Sequence, residues 1–297
     1  MGTPAALRAT TSIIFQITRI ETMTAKIIAT TNNKGGSGKT STDTNVAHEL
    51  AKQGNKVLLI DSDQQANATE VLARGRKYYS QFGNTICDVY SNQRFDIRKA
   101  IVPAVIPKGD DSDEEIENLF LLPSDPSFER VLDNCLTRHH REKILHRAMQ
   151  PIMDDYDYII IDCAPGLNLS TSNAVYAADH ILIPIDGGSF ALTGLEVVLD
   201  FVNEVREGDF NNFSVFRNEY NASKKIMNEF LHDELVNNPR VMNHILKTRI
   251  RADESIAQAQ VRYEPLSVYN RGSLALNDYR NLARELIDIL KSKKDRE

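Results

Sequence analysis

Residues 32–41, which read NNKGGSGKTS, constrain the fold more than any other part of the chain. They follow an apolar run at 27–29 and precede a helix-type spacing of apolar side chains at 46–51. A strand, a glycine-rich turn and a new helix form a cradle for phosphate groups, because glycine lets backbone N–H groups approach an anion and the helix start adds a positive dipole end. In such a cradle Lys39 can reach the β- and γ-phosphates and the Thr40 hydroxyl can bind Mg²⁺. The segment predicts a nucleotide site at the end of the first strand.

The rest of the chain alternates between apolar runs of strand length and amphipathic segments of helix length. Runs such as VLLI at 57–60 and YIII at 158–161 are typical of strands buried on both faces of a parallel sheet. We therefore predict an α/β fold with a doubly wound, mostly parallel sheet flanked by helices, and ligands beyond the carboxyl ends of the strands. The predicted strands are 26–31, 56–61, 118–122, 157–162, 180–185, 213–217 and 241–246. The predicted helices are 38–53, 125–136, 140–153, 168–178, 193–206, 223–236 and 272–291.

The expected domain bounds follow from the first residues and from the distribution of charge. We expect residues 1–22 to be a disordered N-terminal extension or the result of a start assigned too early, since Met23 stands just before the first strand. Residues 23–297 show no internal repeat or composition break, which predicts a single domain. The net charge of −6 is concentrated at 108–117, where six acids accompany one lysine. We predict an acidic, solvated loop near 108–118.

Composition argues against membrane-spanning and zinc-binding proteins. No run approaches the roughly 18 to 20 apolar residues of a membrane span. The three cysteines form no C-x-x-C pair, which fits a reducing compartment and argues against a structural zinc site. The last predicted helix carries Leu282, Leu286, Ile289 and Leu290 on one face before a purely charged tail. We predict that this face packs on the sheet and not on a membrane surface.

Three aspartates stand at the ends of two predicted strands. Asp61 and Asp63 end the second strand and, if it continues that far, project to the same side. Two carboxylates so close favour a bound cation or a reacting water beside them, which a Mg·ATP site supplies. The alternative is that one of the pair caps the following turn or helix. Asp162 ends the apolar run YIII, the pattern of a Walker B strand, whose carboxylate holds Mg²⁺.

The segment KGGSGKT at 34–40 adds a second lysine, Lys34, and Asn33 stands where the general P-loop motif has glycine. This deviant Walker A motif resembles that of the ParA/MinD/nitrogenase-iron-protein group, and further segments resemble the ParA type, a group of DNA partition ATPases. Two departures stand out: Gln64 replaces a usual proline, and the run DCAP, which includes Cys163, replaces DTPP. We expect Cys163 to be a buried structural thiol. The matching segments are 61–69, 118–124, 157–166, 173–185, 191–196, 255–266 and 278–286.

The resemblance implies roles for individual residues. Lys34 is implied to reach the nucleotide of a partner subunit, and Asp63 to orient the attacking water. The implied catalytic residues are Lys34, Lys39 and Asp63. The implied cofactor-binding residues are Lys34, Gly35, Gly36, Ser37, Gly38, Lys39, Thr40, Ser41 and Asn218, the last near the base. The implied metal-binding residues are Thr40, Asp61 and Asp162.

The resemblance also implies a working cycle with ATP and Mg²⁺ as cofactors. ATP closes a homodimer around two nucleotides, the dimer binds DNA without sequence preference, and a ParB-type centromere-binding partner stimulates slow hydrolysis. Such a protein segregates plasmid, phage or chromosomal DNA, is cytoplasmic and nucleoid-associated, and needs no membrane. Non-specific DNA binding requires only a basic surface. The candidate DNA contacts are Lys224, Lys225, Lys247, Arg249 and Arg251, and the last three share one face if they lie on a strand.

Three alternatives remain open at the level of sequence. A MinD-like membrane-positioning ATPase is disfavoured by the charged, aromatic-free C-terminus. An iron–sulfur reductase like the nitrogenase iron protein needs two cysteines per subunit near the nucleotide motifs, where only Cys163 lies. A nucleotide-gated DNA scaffold or repressor with negligible turnover is left some room by Gln64.

Overall fold

The computed structural model describes residues 24–73, 83–108, 112–188 and 191–294, so the expected extension at 1–22 lies outside the described residues. Within these ranges the strands are β1 (Lys26–Thr30), β2 (Val57–Ser62), β3 (Val102–Pro107), β4 (Asp113–Leu122), β5 (Tyr158–Cys163), β6 (His180–Ile185), β7 (Phe213–Tyr220) and β8 (Ile245–Arg251). The α-helices are α1 (Lys39–Lys52), α2 (Asn67–Leu72), α3 (Ile86–Ser91), α4 (Phe128–Cys135), α5 (Ile144–Met149), α6 (Leu169–Ala177), α7 (Ala191–Val205), α8 (Lys225–Asn237), α9 (Glu254–Val261), α10 (Leu266–Tyr269) and α11 (Leu274–Lys294).

The strands form one sheet in the order β3-β4-β2-β5-β1-β6-β7-β8. All neighbouring pairs are parallel except β3 with β4. The prediction of a doubly wound, mostly parallel α/β fold is confirmed.

Each central strand contributes side chains to two separate cores, one on each face of the sheet. In β2, Leu58 and Ile60 face the core formed with α3 to α8, whereas Val57 and Leu59 face the core formed with α1, α2 and α9 to α11. Because neither face meets water, every side chain of these strands must be apolar or have a hydrogen-bond partner. This requirement explains the unbroken apolar runs. Helix α11 buries Leu282, Leu286 and Leu290 in the second core, as predicted.

The predicted strand at 241–246 is wrong in its position. Residues 241–244 form a turn in which the Val241 and Met242 N–H groups donate to the Asn238 carbonyl at 3.1 and 2.9 Å. The strand is β8, whose Leu246 and Ile250 are buried while Lys247 and Arg249 are exposed. An alternation of buried and exposed residues is a weaker sequence signal for a strand than a continuous apolar run. The apolar residues just before β8 therefore shifted the predicted bounds toward the N-terminus.

The acidic segment is a hairpin arm, and the prediction of a solvated loop is wrong for residues 113–117. They begin β4 and pair antiparallel with β3 through Val105↔Glu115 and Ile106↔Glu114. The acidic side chains stay in solvent while their backbone groups pair and Ile116 is buried, so charge alone did not exclude a strand. Residues 109–111 lie outside the described residues.

The carboxyl ends of the central strands bring the predicted site residues together. In the register of the sheet, Asp162 of β5 lies beside Thr30 of β1 on one side and beside Asp61 of β2 on the other. Parallel strands place their following loops at one edge, and this is where α/β sheets bind ligands.

Candidate nucleotide-binding site

The loop between β1 and α1 has the conformation of a phosphate cradle. Gly36 and Gly38 have φ values of +73° and +82°, which residues with a Cβ rarely adopt. A Cβ on Gly38 would lie 2.0 Å from Nδ2 of Asn218, so glycine is required there for space as well. Helix α1 starts directly after this turn, which aims its N-terminal N–H groups at the loop.

The lysine of the cradle is folded across its own loop. Lys39 is only 6% exposed, and its ammonium donates to the carbonyls of Asn32 at 3.3 Å and Lys34 at 3.2 Å. These carbonyls are weaker partners than phosphate oxygens, so an arriving anion can compete for the ammonium. The cradle borders an open cavity of about 310 Å³ lined by residues including Gly35, Gly36, Ser37, Gly38, Lys39, Thr40, Ser41, Asp63, Gln65, Asn67, Glu219 and Gln260.

Asp162, at the end of β5, is a buried carboxylate next to the phosphate cradle. It is fully shielded from solvent, and neither of its oxygens makes a hydrogen bond within the described parts of the chain. Burial, and then the charge of Asp43, raise the pKa of Asp162 well above its usual range, while the Thr40 hydroxyl and the Lys39 ammonium act in the opposite direction. An unpartnered carboxylate beside a hydroxyl fits Mg²⁺, which prefers oxygen ligands and takes few of them from protein.

Asp43 is a site residue that the sequence analysis missed. It lies in α1 and is buried, its Oδ1 accepts a hydrogen bond from the Thr30 hydroxyl at 2.5 Å, and its Oδ2 has no partner in the described structure. Burial raises its pKa to about 7, while the hydrogen bond from Thr30, the neighbouring Asp162 carboxyl group and the charge of Lys39 act in the opposite direction. The sequence did contain a signal for Asp43, since it is an acidic residue inside the first turns of the helix that follows the glycine turn. The fold buries this part of the helix against β1 and β5.

Asp61 braces the loop before α2, and its implied role as a metal ligand stays a prediction. Its Oδ2 accepts hydrogen bonds from the Thr69 N–H at 2.7 Å and the Thr69 hydroxyl at 2.6 Å, and its Oδ1 accepts one from the Asp63 N–H at 3.2 Å. Burial and then the charge of Asp162 raise its pKa to about 8, against these hydrogen bonds. With both oxygens engaged, Asp61 fulfils the capping alternative that the sequence left open.

Asp63 lines the nucleotide cavity together with the glycine loop. Its Oδ1 accepts a hydrogen bond from the Gln65 N–H at 2.8 Å, which fixes the side chain in the turn. Burial raises the pKa of Asp63, while the Gln65 N–H and the Lys39 charge lower it. The two aspartates of this segment are therefore unlike: one braces the backbone and the other borders the cavity.

Lys34 lies outside the cavity of its own subunit. Its side chain is 57% exposed and forms an ion pair with Asp186, the residue after β6. Lys34 does not contribute to the lining of the cavity around Lys39. The two lysines of the motif thus differ in direction, one folded into the cradle and the other held at its rim.

Asn218, at the end of β7, fastens the glycine loop. Its side-chain Nδ2 donates to the Ser37 carbonyl at 2.8 Å, across 181 positions of sequence. This bond fixes the amide orientation, so Oδ1 is the group left to accept a hydrogen bond from a ligand. Gln260 of α9 also reaches the loop, where its Nε2 donates to the Ser41 hydroxyl at 2.8 Å. Gln260 was missed because no local pattern marks so remote a contact.

The candidate DNA-binding residues include exposed basic side chains and one that is paired with an acid. Lys247 and Arg249 are exposed on β8, and the Arg249 guanidinium lies 5.0 Å from the centre of the Tyr220 ring. Arg251 instead makes two hydrogen bonds with Asp278, at 2.6 and 2.9 Å, so its charge is largely neutralised. The exposed Lys224 and Lys225 stand at the start of α8. A surface groove of about 700 Å³ is lined by Tyr220, Asn221, Ala222, Lys247, Thr248, Arg249, Arg251, Ala252, Asp278 and Asn281.

In the part of the chain that the structure describes, the cysteines are buried and the helices are those of a folded domain. Cys163 is buried, and burial, followed by the charges of Asp162 and Asp43, raises the pKa of its thiol well above the usual value. This environment fits the expected structural thiol. Within the described ranges, no group of three or more His, Cys, Asp or Glu side chains is placed to hold a metal ion. Among the helices described, none is both long and apolar enough to cross a bilayer.

Comparison with known proteins finds a matching family model, similar sequences and similar solved structures. A family model described as an AAA domain matches residues 25–215. The chromosome partitioning protein ParA of Myxococcus xanthus is 30% identical over 266 residues, which cover 88% of this chain and 88% of the relative. The sporulation initiation inhibitor protein Soj of Bacillus subtilis is 29% identical over 268 residues, which cover 88% of this chain and 98% of the relative. A solved cobyrinic acid a,c-diamide synthase from Mycobacterium smegmatis, with bound ATP analog and magnesium, shares the fold with a TM-score of 0.72 at 23% identity, over 91% of this chain and 97% of that chain.

Proposed function

The chain belongs to the ParA/MinD family of P-loop ATPases, and from this premise we propose that it is a DNA partition ATPase. In this proposal two copies close around two ATP molecules and the dimer binds DNA without sequence preference. A ParB-type centromere-binding partner then stimulates hydrolysis and release. Plasmid, phage or chromosomal DNA is segregated by repetition of this cycle. The relatives described as chromosome partitioning proteins support the choice of cargo class.

ATP and Mg²⁺ fit the groups that border the cavity. The backbone N–H groups of the glycine loop and the Lys39 ammonium would hold the phosphates. The Oδ1 atom of Asn218 would accept a hydrogen bond from the adenine amino group, since Nδ2 is engaged by Ser37. Mg²⁺ would be held by the Thr40 hydroxyl and Asp162, where it neutralises phosphate charge. The solved neighbour with ATP analog and magnesium supports this choice of ligands.

Hydrolysis requires a water held in line with the γ-phosphoryl group. Asp63 borders the cavity and is held in its turn by the Gln65 N–H, so we assign it the orientation of that water. The water oxygen bonds to the γ-phosphorus as the bond to the bridging oxygen breaks, which leaves ADP and phosphate. Because this transfer depends mainly on positioning and charge stabilisation, one orienting carboxylate with the lysine is sufficient.

The position of Lys34 is the observation that carries the proposal. A lysine of the phosphate loop that served its own nucleotide would point into the cavity beside Lys39, and Lys34 instead lies at the rim with more than half of its side chain exposed. In a dimer with two equivalent sites facing each other, a rim lysine of one subunit can reach the phosphates of the other. This geometry favours a shared site over a monomeric ATPase.

DNA binding is assigned to the groove along β8. Lys247 and Arg249 supply exposed positive charge, with Lys224 and Lys225 as further candidates at the start of α8. Arg251 contributes less in this proposal, because Asp278 already neutralises it. The overall charge of −6 does not oppose DNA binding, since short-range attraction depends on the local patch.

The experiment combines a filter-binding assay on random-sequence duplex DNA with a measurement of phosphate release. Each assay is run with ATP·Mg²⁺, with ADP and without nucleotide. We expect DNA binding with ATP only, and hydrolysis that rises when DNA and the partner are added. Binding that is independent of nucleotide, or absent throughout, would refute the partition cycle. ATP-gated DNA binding without stimulated turnover would identify the scaffold or repressor alternative, and ATP-dependent sedimentation with liposomes would identify the MinD-like one.

A further inference from the structure

The Lys34 ammonium is held by one carboxylate, that of Asp186, 152 positions away in the sequence. Asp186 directly follows β6, its side chain is only 13% exposed, and its Oδ1 accepts a hydrogen bond from the Gly188 N–H at 3.1 Å. Burial alone raises the pKa of Asp186, but the hydrogen bonds from Lys34 and Gly188 and the Lys34 charge lower it overall. Asp186 paired with Lys34 is therefore ionised at neutral pH, and the Gly188 N–H holds its other oxygen.

The backbone around Lys34 is tied to the same strand. The Asn32 side chain donates to the Pro184 carbonyl at 2.6 Å, and its Oδ1 accepts a hydrogen bond from the Lys34 N–H at 2.9 Å. The start of the phosphate loop is thus anchored on β6, so the flexible Lys34 side chain has Asp186 within reach in the separate subunit. The ion pair is a consequence of how the fold joins β1 to β6.

We propose that Asp186 is a positioning residue that holds Lys34 in the separate subunit and releases it when the dimer forms, so that it sets the strength of ATP-dependent dimerisation. This inference rests on the proposed function, in which Lys34 serves the nucleotide of the partner subunit. Each closing dimer must break two Lys34–Asp186 pairs. It must also bring the Asp186 carboxylates toward the region where the triphosphates lie, which adds like-charge repulsion.

A zero-length carbodiimide cross-link tests the ion pair itself. In nucleotide-free protein we expect an isopeptide bond between Lys34 and Asp186, detected by peptide mass mapping as the loss of one water and of tryptic cleavage after Lys34. When a non-hydrolysable ATP analog and Mg²⁺ are added before the carbodiimide, this cross-link should not form. The absence of the cross-link in nucleotide-free protein would overturn the inference, as would its persistence in a preparation that is dimeric by light scattering.

The variant Asp186→Asn tests the consequence for assembly. Asparagine keeps an oxygen for the Gly188 N–H but cannot form an ion pair with Lys34. Since an exposed ion pair contributes little individually and two are broken per dimer, we expect the dimer dissociation constant with the ATP analog to fall by about fivefold. The matched control is Asp200→Asn, which removes the same charge from a residue that pairs with Arg240 at 2.9 Å.

The outcomes separate this inference from the proposed function. Equal dimer dissociation constants for Asp186→Asn, Asp200→Asn and the unchanged protein would overturn the role of Asp186 while leaving the shared nucleotide site intact. A protein that forms the cross-link but never dimerises with ATP would instead refute the proposed function. In that case the role of Asp186 in dimerisation falls with it, although the ion pair is verified.

Discussion

Replacing Gly38 by alanine should destabilise the protein far more than replacing Gly36, although both glycines have similar backbone angles. At φ values of +82° and +73°, a Cβ costs about 1 kcal/mol at either position. At Gly36 the new Cβ would have no heavy atom within 4 Å, whereas at Gly38 it would lie 2.0 Å from Nδ2 of Asn218. The Asn218 amide must then leave the Ser37 carbonyl, to which it donates at 2.8 Å. Loss of such a buried hydrogen bond costs about 2 kcal/mol more.

We therefore expect losses of about 3 kcal/mol for Gly38→Ala and about 1 kcal/mol for Gly36→Ala in the free energy of unfolding. The measurement is urea denaturation of nucleotide-free protein followed by circular dichroism, which excludes effects of ligand binding. In an Asn218→Ala background the excess cost of Gly38→Ala should disappear, because the clashing amide is gone. Equal losses for the two glycine variants, or an unchanged excess in that background, would refute the role of Asn218 as a clamp on the loop.

The remaining predictions concern the carboxylates and the basic groove. Asp63→Asn should bind ATP and dimerise but lose at least about 100-fold in phosphate release, and wild-type turnover would contradict its assignment. Asp162→Asn should melt at a higher temperature than wild type at pH 8 without nucleotide. Since the folded pKa of Asp162 is raised above 3.8, ionisation opposes folding increasingly as pH rises above about 4; an equal difference at pH 4 and pH 8 would contradict this cause. Lys247→Gln/Arg249→Gln should reduce the salt slope of DNA binding by about 4 per dimer, and an unchanged slope would exclude the β8 groove. The control Lys52→Gln/Arg94→Gln, which removes the same charge from exposed positions outside the groove, should leave the slope unchanged.

The strand, glycine turn and helix around Lys39 were predicted correctly because their signals are local. The glycine turn, Lys39 and the following helix lie within a few residues of one another, and the strand ending in Asp162 is apolar throughout. Both patterns reflect the geometry of a single turn or strand, so no knowledge of remote contacts was needed. The parallel sheet followed from the same apolar runs, since only strands covered on both faces require them.

The errors arose where the roles of residues depend on remote contacts or on backbone pairing. The hydrogen bonds from Thr69 to Asp61 form only once α2 is in place, so the sequence did not reveal them. The acidic residues before β4 resemble a solvated loop because side-chain charge does not reveal that their backbone pairs with β3. Lys34 and Asp186 are 152 positions apart, so only the order of β1 and β6 in the sheet brings them together.

Subunit mixing tests the shared nucleotide site most directly. The variants Lys34→Gln and Asp63→Asn should each hydrolyse ATP near background when assayed alone. If Lys34 acts on the partner's nucleotide, a mixed dimer has one complete site, formed by Asp63 of the first variant and Lys34 of the second. An equal mixture should then recover about one quarter of wild-type phosphate release, because half of the dimers are mixed and one of their two sites is complete. Phosphate release that stays at background in the mixture, while pull-down through an affinity tag on one variant shows that mixed dimers form, would contradict a lysine shared between subunits.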